Sequence, residues 1–576
     1  METETQIGSC SAFGKTTLNI NEPLGGLTRL QQRALHKEAA SRFYIKLDDV
    51  PEIHKRMINS FKSGITLSYE WRMAQLDALQ RMIKDHDAEF VSALKADLGK
   101  SVVYTYNFEL NSIICEVQEA KNSLEKWMAT KQVTIPVDQD GHYAKGFLQP
   151  EPLGVTLIIS PWNYPLMLTL EPLVGAIAAG CCACMKPSSE VHNTTHLLAT
   201  LVEEYLDTRC FKVIEGGRDI SNALLELQWD LLFFTGSGNV GRQMFIHAAE
   251  HLRPAILELG GKSPAIVDRK ADLDLAVKRI VVGKFMNAGQ TCLAPDYVFV
   301  PDNMMEEFVE RVKKTIAEFY GDDLQKSEDT GRIIGERQWS RLAKYLHEDE
   351  DTNEKEDDVS CHSSQEHLPS PVVSSSSSSS SSAHSSASST CACPALRLNL
   401  PSSLLPSPFG GHRILLGGKV DKDDLYISPT VISVSTTSSS RFMKEEIFGP
   451  ILPIVPLPAD TFLEDAVAFI KTRDHPLAIY VFTEDEDVKN FVAQSTSSGS
   501  ITFNDCVVQA SAKVLPFGGV GASGIGVYHH KYSFDCFSHT KTVLDRSTVP
   551  DPPERFPPYD HLTLPRLREL ANRAHA

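Results

Sequence analysis

Apolar positions change their period along this chain, and the changes mark its organisation. Between Val50 and Lys131 they recur every three or four residues. Tyr69–Ile83 (YEWRMAQLDALQRMI) sets Trp71, Leu76, Leu79 and Met82 on one side with charges opposite, which predicts amphipathic helices. The first 45 residues are aperiodic except at Leu27–Ala40, where a short helix is predicted; residues 1–45 as a whole read as a disordered or loosely docked tail. From Gly154 the pattern becomes short apolar runs alternating with helix-like segments: VTLIIS (155–160), CCACMK (181–186), FKVIEGG (211–217), DLLFFTG (230–236) and AILELGG (255–261). That alternation predicts βαβ units and a parallel sheet covered on both faces. Ligands of such sheets gather at the carboxyl ends of the strands, so Ser160, Lys186, Gly216 and Gly236 are expected near a crevice.

A second α/β stretch runs from Ala265 to about His347, and the pattern then collapses. Glu348–Asp358 (EDEDTNEKEDD) holds eight acids and one lysine, and Ser374–Ser382 is unbroken serine. Residues 348–410 cannot bury enough apolar surface to offset their ordering entropy and are expected to be a disordered insertion in a surface loop. Patterning resumes at HRILLGGKV (412–420) and continues through Phe534.

Composition narrows the function classes. A chain of 576 residues is long enough for several domains, and 42% hydrophobic with 23% charged residues suits a globular protein. Lysine and arginine number 56 against 74 acids, so the net charge of −18 argues against nucleic acid or an anionic membrane as partner. The charge-free stretch Leu153–Leu170 contains Pro161, Asn163 and Pro165, which disfavour a membrane helix. Twelve scattered cysteines fit a reducing compartment, and a cytoplasmic location without targeting peptide or tail anchor is the expectation.

The residues that carry chemistry are few. Cys292, in NAGQTC (287–292), is flanked by Gly, Gln and Thr rather than aliphatic residues, and a thiol is a good nucleophile once ionised or paired with a base. Taken singly it also fits a buried structural cysteine. Glu258, in LELGGKSP (257–264), closes an apolar strand, where partial desolvation would raise its pKa toward that of a general base; an exposed strand-end acid is the alternative. Asn163, in PWNYP (161–165), sits on a loop stiffened by two prolines, as an oxyanion donor or simply a turn residue. Gly236 and Gly241 bracket a strand-to-helix junction open to phosphate, a weak signal alone. No metal site is expected: Cys181, Cys182 and Cys184 alternate faces of a strand, and Cys391 and Cys393 lie in the insertion.

Together PWNYP, MKPSSE (185–190), FTGSGNVG (234–241), LELGGKSP, NAGQTC, EEIFGP (445–450) and LPFGGVGASG (515–524) resemble the aldehyde dehydrogenase superfamily, in its order. YHHKYSFDCFSH (528–539) is most similar to the class-3 branch, which acts on fatty and aromatic aldehydes. The resemblance implies an α/β fold with a Rossmann-type cofactor domain (46–130 and 151–258) and an α/β catalytic domain (259–347 and 411–535). A small β oligomerisation arm (131–150 and 536–546) and a C-terminal tail (547–576) complete it. It further implies NAD or NADP as cofactor, an aldehyde as substrate, and a homodimer.

Carried over by position, the resemblance makes Cys292 the nucleophile, Asn163 with the Cys292 N–H the oxyanion donors, and Glu258 the activator of water. Cofactor contacts would be Ser160, Trp162, Lys186, Gly236, Ser237, Gly241, Glu446 and Phe448. Two departures stand out. Where the family commonly has Glu three residues after the lysine, this chain has Ser189, which would not repel the extra phosphate of NADP; the other departure is the insertion. The competing readings are a narrow-specificity semialdehyde dehydrogenase, a thioesterase or esterase, and a scaffold working through the serine tract.

Overall fold

The computed structural model describes residues 26–135, 144–347, 400–401, 404–405, 411–436, 441–546, 548, 556–560 and 562–573. Two large sheets organise it. Strands β1 (Lys131–Val133) and β2 (Ala144–Pro152) precede five that build the first: β3 (Val155–Ile159), β4 (Cys182–Lys186), β5 (Phe211–Val213), β6 (Leu231–Gly236) and β7 (Ala255–Leu259). All five predicted runs are therefore strands. They are mutually parallel in the order β7-β6-β3-β4-β5, so the chain reverses its direction of travel between β3 and β6. A crevice opens at the carboxyl ends beside that switch point. Every residue of β4 is buried, Cys182 and Cys184 included, because helices cover both faces.

The second sheet takes β8 (Pro264–Val267), β9 (Tyr297–Pro301) and β10 (Arg413–Leu416), past a two-stranded ribbon of β11 (Val420–Asp421) and β12 (Tyr426–Ile427). It continues with β13 (Thr430–Ser433), β14 (Ile451–Leu457), β15 (Ala478–Phe482) and β16 (Ser500–Phe503). Its order is β10-β13-β14-β9-β8-β15-β16, parallel except at β10. The remaining strands, β17 (Gly524–Ile525) and β18 (Ser538–Arg546), return to the first half of the molecule. β17 adds antiparallel to β7, while β18 pairs with β2 in a three-stranded sheet with β1.

The expected boundary at residue 535 therefore falls too late. Tyr528, Phe534 and Phe537 belong to the core beneath the first sheet, where Phe233 stacks on Phe537 at 5.9 Å. Each such fully buried ring contributes about 1.5–3 kcal/mol relative to exposure, enough to hold the returning segment there.

Within the tail expected over residues 1–45, the short helix predicted at Leu27–Ala40 is present and its docking is firmer than the loose one expected. Arg29–Ser41 is a helix, capped by a reciprocal Thr28–Gln31 box and docked through its basic residues. Arg29 donates to the carbonyls of Lys95 and Ala96, at the C-terminal end of helix Asp87–Leu98, and Arg33 donates to Asp97 and Glu190 carbonyls. Bonds from two guanidinium groups to helix-end and loop carbonyls let a polar helix dock without a large apolar face. Residues 1–25 lie outside the described residues, as do nearly all of the 348–410 insertion with Cys391 and Cys393. No described helix is long and apolar enough to cross a membrane, and no described cluster of three metal-ligating side chains exists.

Candidate active site

Three loops converge between the two large sheets. The first leaves β3 as Ser160–Pro165 and runs into helix Met167–Ala179. The Tyr164 hydroxyl meets Thr291 Oγ1 at 2.7 Å, and Asn287 Nδ2 donates to the Asn163 carbonyl at 3.0 Å. These two bonds fasten the Asn163 loop to the second loop, NAGQTC, at its first residue and at the residue just before Cys292. The Asn163 side chain is almost wholly buried, and its Oδ1 has no partner.

The second loop is held by its own polar residues. Gln290 donates to the carbonyls of Asn287 and Arg332 and accepts from the Ile334 N–H. Asn287 and Ala288 adopt left-handed φ values of 51° and 53°, a cost of order 1–3 kcal/mol each that the surrounding bonds sustain. Gly289, at φ +71°, lies against the carbonyl of Gly449, where any side chain would collide. That contact brings EEIFGP, the third loop, against the loop of Cys292. EEIFGP is anchored by Asp296, which accepts from the Ile447 N–H at 3.1 Å and from Lys262 at 2.5 Å.

Glu258 ends β7 opposite Gly524 of β17. Its carboxyl is 3% exposed with neither oxygen partnered, and burial pushes its pKa well above the usual range. Cys292 faces it: burial, then the Glu446 and Glu258 carboxyls, push the thiol up to about 12, against the opposing pull of the Cys292 and Leu293 N–H groups. The thiol therefore holds its proton at neutral pH in the protein by itself, and desolvation favours the neutral form of the Glu258 carboxyl more than at an exposed acid. Glu446 is likewise raised to about 8, by burial and Asp296.

The residues expected to hold a dinucleotide stand at the ends of the first sheet's strands and on EEIFGP. Lys186, at the end of β4, is 4% exposed with only the Pro187 carbonyl beside its ammonium, and burial lowers it to about 8. Gly236 ends β6, and Ser237 caps helix Gly238–Glu250 with its hydroxyl making no cap bond. A Cβ at Gly238 would meet nothing, whereas one at Gly241 would meet Leu259 at 2.5 Å, so glycine lets this helix sit close on β7. Glu446 faces Gly260, and Phe448 packs edge-on against Trp162 at 5.3 Å. Ser160 directly follows β3, and its hydroxyl meets Thr169 at 2.5 Å.

Lys100, Glu109, Asn287 and Gln290 are part of the constellation that motif reading missed. Asn287 and Gln290 were visible inside NAGQTC; Lys100 and Glu109 stand in a helical region that carries no motif.

Known proteins resemble this chain along most of its length. The model of the aldehyde dehydrogenase family matches residues 34–384 and 409–543. The chain is 37% identical to aldehyde dehydrogenase family 3 member F1 of Arabidopsis thaliana, over 90% of this chain and 95% of that protein. It is 37% identical to the dog protein named aldehyde dehydrogenase, dimeric NADP-preferring, over 89% of this chain and 98% of the other. Among solved structures, the substrate-bound Staphylococcus aureus AldH superposes with a TM-score of 0.76 at 35% identity, covering 91% of this chain and 99% of that one.

Proposed function

The chain belongs to the aldehyde dehydrogenase family, an oxidoreductase of aldehydes, and from that premise we propose that it converts medium- or long-chain aliphatic or aromatic aldehydes to carboxylic acids through a covalent intermediate on Cys292. The observation that carries the proposal is the meeting of Cys292, an unpartnered Glu258 carboxyl and a doubly fastened Asn163 in one buried cleft.

The residues along the crevice fit a nicotinamide dinucleotide. Lys186, short of partners, suits the adenosine ribose; Ser237 and the open space at Gly238 suit the pyrophosphate; Glu446 suits the other ribose, with Phe448 and Trp162 beside it. Bound there, the nicotinamide supplies the hydride acceptor. NAD and NADP are both proposed, because Ser189 offers no negative charge against a 2′-phosphate and the neighbouring Glu190 lies toward Gly335.

The chain's residues do the rest. Cys292 Sγ adds to the aldehyde carbon as the thiolate, its proton lost to water, while the Asn163 amide and the Cys292 N–H hold the oxygen as it becomes anionic. After hydride departure a thioester remains on Cys292. Glu258, its pKa raised by desolvation, takes a proton from water, and the hydroxide equivalent attacks the thioester to release the acid. The dry cleft makes both electrostatic contributions stronger than they would be in water.

We extend the proposal to a homodimer in a reducing compartment, the cytoplasm. Helix Gly238–Glu250 presents Val240, Phe245 and Ile246 to solvent, with Leu252 92% exposed just beyond it, an apolar face suited to a second copy. β18 edges its small sheet with Leu544 exposed, the arrangement in which strands pair across subunits. All eight described cysteines are free thiols.

The test is formation of reduced nicotinamide by the purified chain with hexanal, benzaldehyde and a long-chain aldehyde, each with NAD and with NADP. Turnover on these aldehydes supports the reading; a folded protein that turns over none of them, and only short semialdehydes, would replace it.

A further inference from the structure

Lys100 and Glu109 form an ion pair with no solvent access, on segments that hold none of the reacting groups. Their placement is local in origin. Helix Asp87–Leu98 stops at Gly99, whose φ of +67° turns the chain inward and delivers Lys100 beneath the Asn163 loop. Glu109 lies in a π-helical turn, Tyr106–Leu110, and such widened turns displace one side chain from its α-helical direction.

The pair brackets the segment that carries Asn163. Lys100 Nζ donates to the Asn163 carbonyl at 2.7 Å and to Glu109 Oε1 at 2.5 Å. Glu109 Oε2 accepts from the N–H groups of Leu166 and Met167, at 3.0 and 2.9 Å. The Lys100 ammonium also lies 4.0 Å over the Tyr164 ring. One carbonyl and two N–H groups of the stretch 163–167 are thus pinned by a cation at one end and an anion at the other. Burying two charges this way carries a desolvation penalty, so stability alone is a weak reason for the pair. Positioning is a stronger one: an oxyanion donor acts only if its N–H already points where the oxygen will be.

We propose that Lys100, oriented by Glu109, is a positioning residue for the oxyanion donor, fixing the Asn163 amide for attack by Cys292. The inference rests on the functional reading above. Lys100 touches neither substrate nor thiol; it acts through the main chain of Asn163.

A double-mutant cycle on the full-length enzyme tests it, with hexanal and the better of NAD or NADP. Lys100→Met lowers kcat/KM about tenfold or more in the otherwise unchanged protein, and less than about twofold once Asn163→Ala has removed the amide it positions. Cofactor affinity, read by fluorescence titration, stays unchanged in both. If Lys100→Met fails to fold, Lys100→Met/Glu109→Gln takes its place, since it leaves no buried charge unpaired and keeps an acceptor for the Leu166 and Met167 N–H groups. Equal losses with and without Asn163, or full activity of the Lys100 variants, overturn the inference while leaving the functional reading intact. An unaltered enzyme that oxidises no aldehyde overturns both.

Discussion

The Tyr164 hydroxyl lies 2.7 Å from Thr291 Oγ1, one residue from Asn163 on one side and one residue from Cys292 on the other. The bond ties the proposed oxyanion donor to the proposed nucleophile, and Tyr164 and Thr291 are themselves both buried. Tyr164→Phe keeps the ring and strands the Thr291 hydroxyl. The expected result is a stability loss of about 1–2 kcal/mol in a denaturant melt, with kcat/KM falling severalfold. Unchanged kinetics would show that the loops hold their register without this bond.

Cys292 is expected to react as a thiol of high pKa in the protein without cofactor. Burial and two carboxyls push it up to about 12, so iodoacetamide labelling of this residue should rise about tenfold per pH unit from pH 7 to 9.5 without levelling. A plateau below pH 8.5, followed by peptide mapping, would contradict the electrostatic account.

Glu258 is raised by burial, so it is a protonated acid at low pH and becomes a base only as pH rises through its shifted value. Hydrolysis of the acyl-enzyme should therefore speed up as pH rises through that shifted value, above the ordinary carboxylate range. Glu258→Gln should slow that step by a factor on the order of a hundred or more and remove most of its pH dependence, while leaving the first burst of reduced nicotinamide. Stopped-flow absorbance separates the two phases; loss of the burst itself would assign Glu258 an earlier role.

A second buried cluster makes a stability prediction. Lys513 bonds Glu171 and lies 3.8 Å from Glu116, with His529 3.5 Å from Glu171 and His530 3.5 Å from Glu116. Burial raises Glu116 to about 7; for Glu171 burial works the same way, but Lys513 and His529 outweigh it and bring it to about 2. A carboxyl raised on folding favours the folded state below its ordinary 4.5, and that support is lost as pH climbs from 4.5 to about 7. Glu171 changes only below 4.5. Glu116→Gln should thus raise stability at pH 8 relative to pH 5, by an amount on the order of 3 kcal/mol at most. Melts at the two pH values check the sign; an equal shift at both would contradict it.

The proposed cofactor tolerance turns on position 189. Ser189→Glu restores a carboxylate where the family commonly has one and should cut kcat/KM with NADP at least about tenfold more than with NAD. An unchanged ratio would place the discrimination elsewhere.

Much of this was legible in the sequence. The five runs from Val155 to Leu259 read as strands because residues buried on both faces make continuous apolar runs with no misleading alternation. Cys292, Glu258 and Asn163 were visible because each stands in a short motif whose glycines and prolines set the local backbone. What escaped was long-range. Glu109 lies 57 residues from Leu166 in sequence, Lys513 lies 342 from Glu171, and no local period encodes such pairs. The docking of Arg29–Ser41 escaped for a related reason: its affinity is for helix-end carbonyls, and composition carries no sign of those. Ser160 was placed correctly at a strand end, but its hydroxyl is taken by Thr169.

The central claim is that the acyl group passes through Cys292. Its most direct test is acid quench of Glu258→Gln during turnover of hexanal with cofactor, followed by peptide mass spectrometry. The account predicts a hexanoyl group on the peptide carrying Cys292 and none when cofactor is omitted. An acyl group on any other residue, or none at all while reduced nicotinamide is still formed, would contradict it.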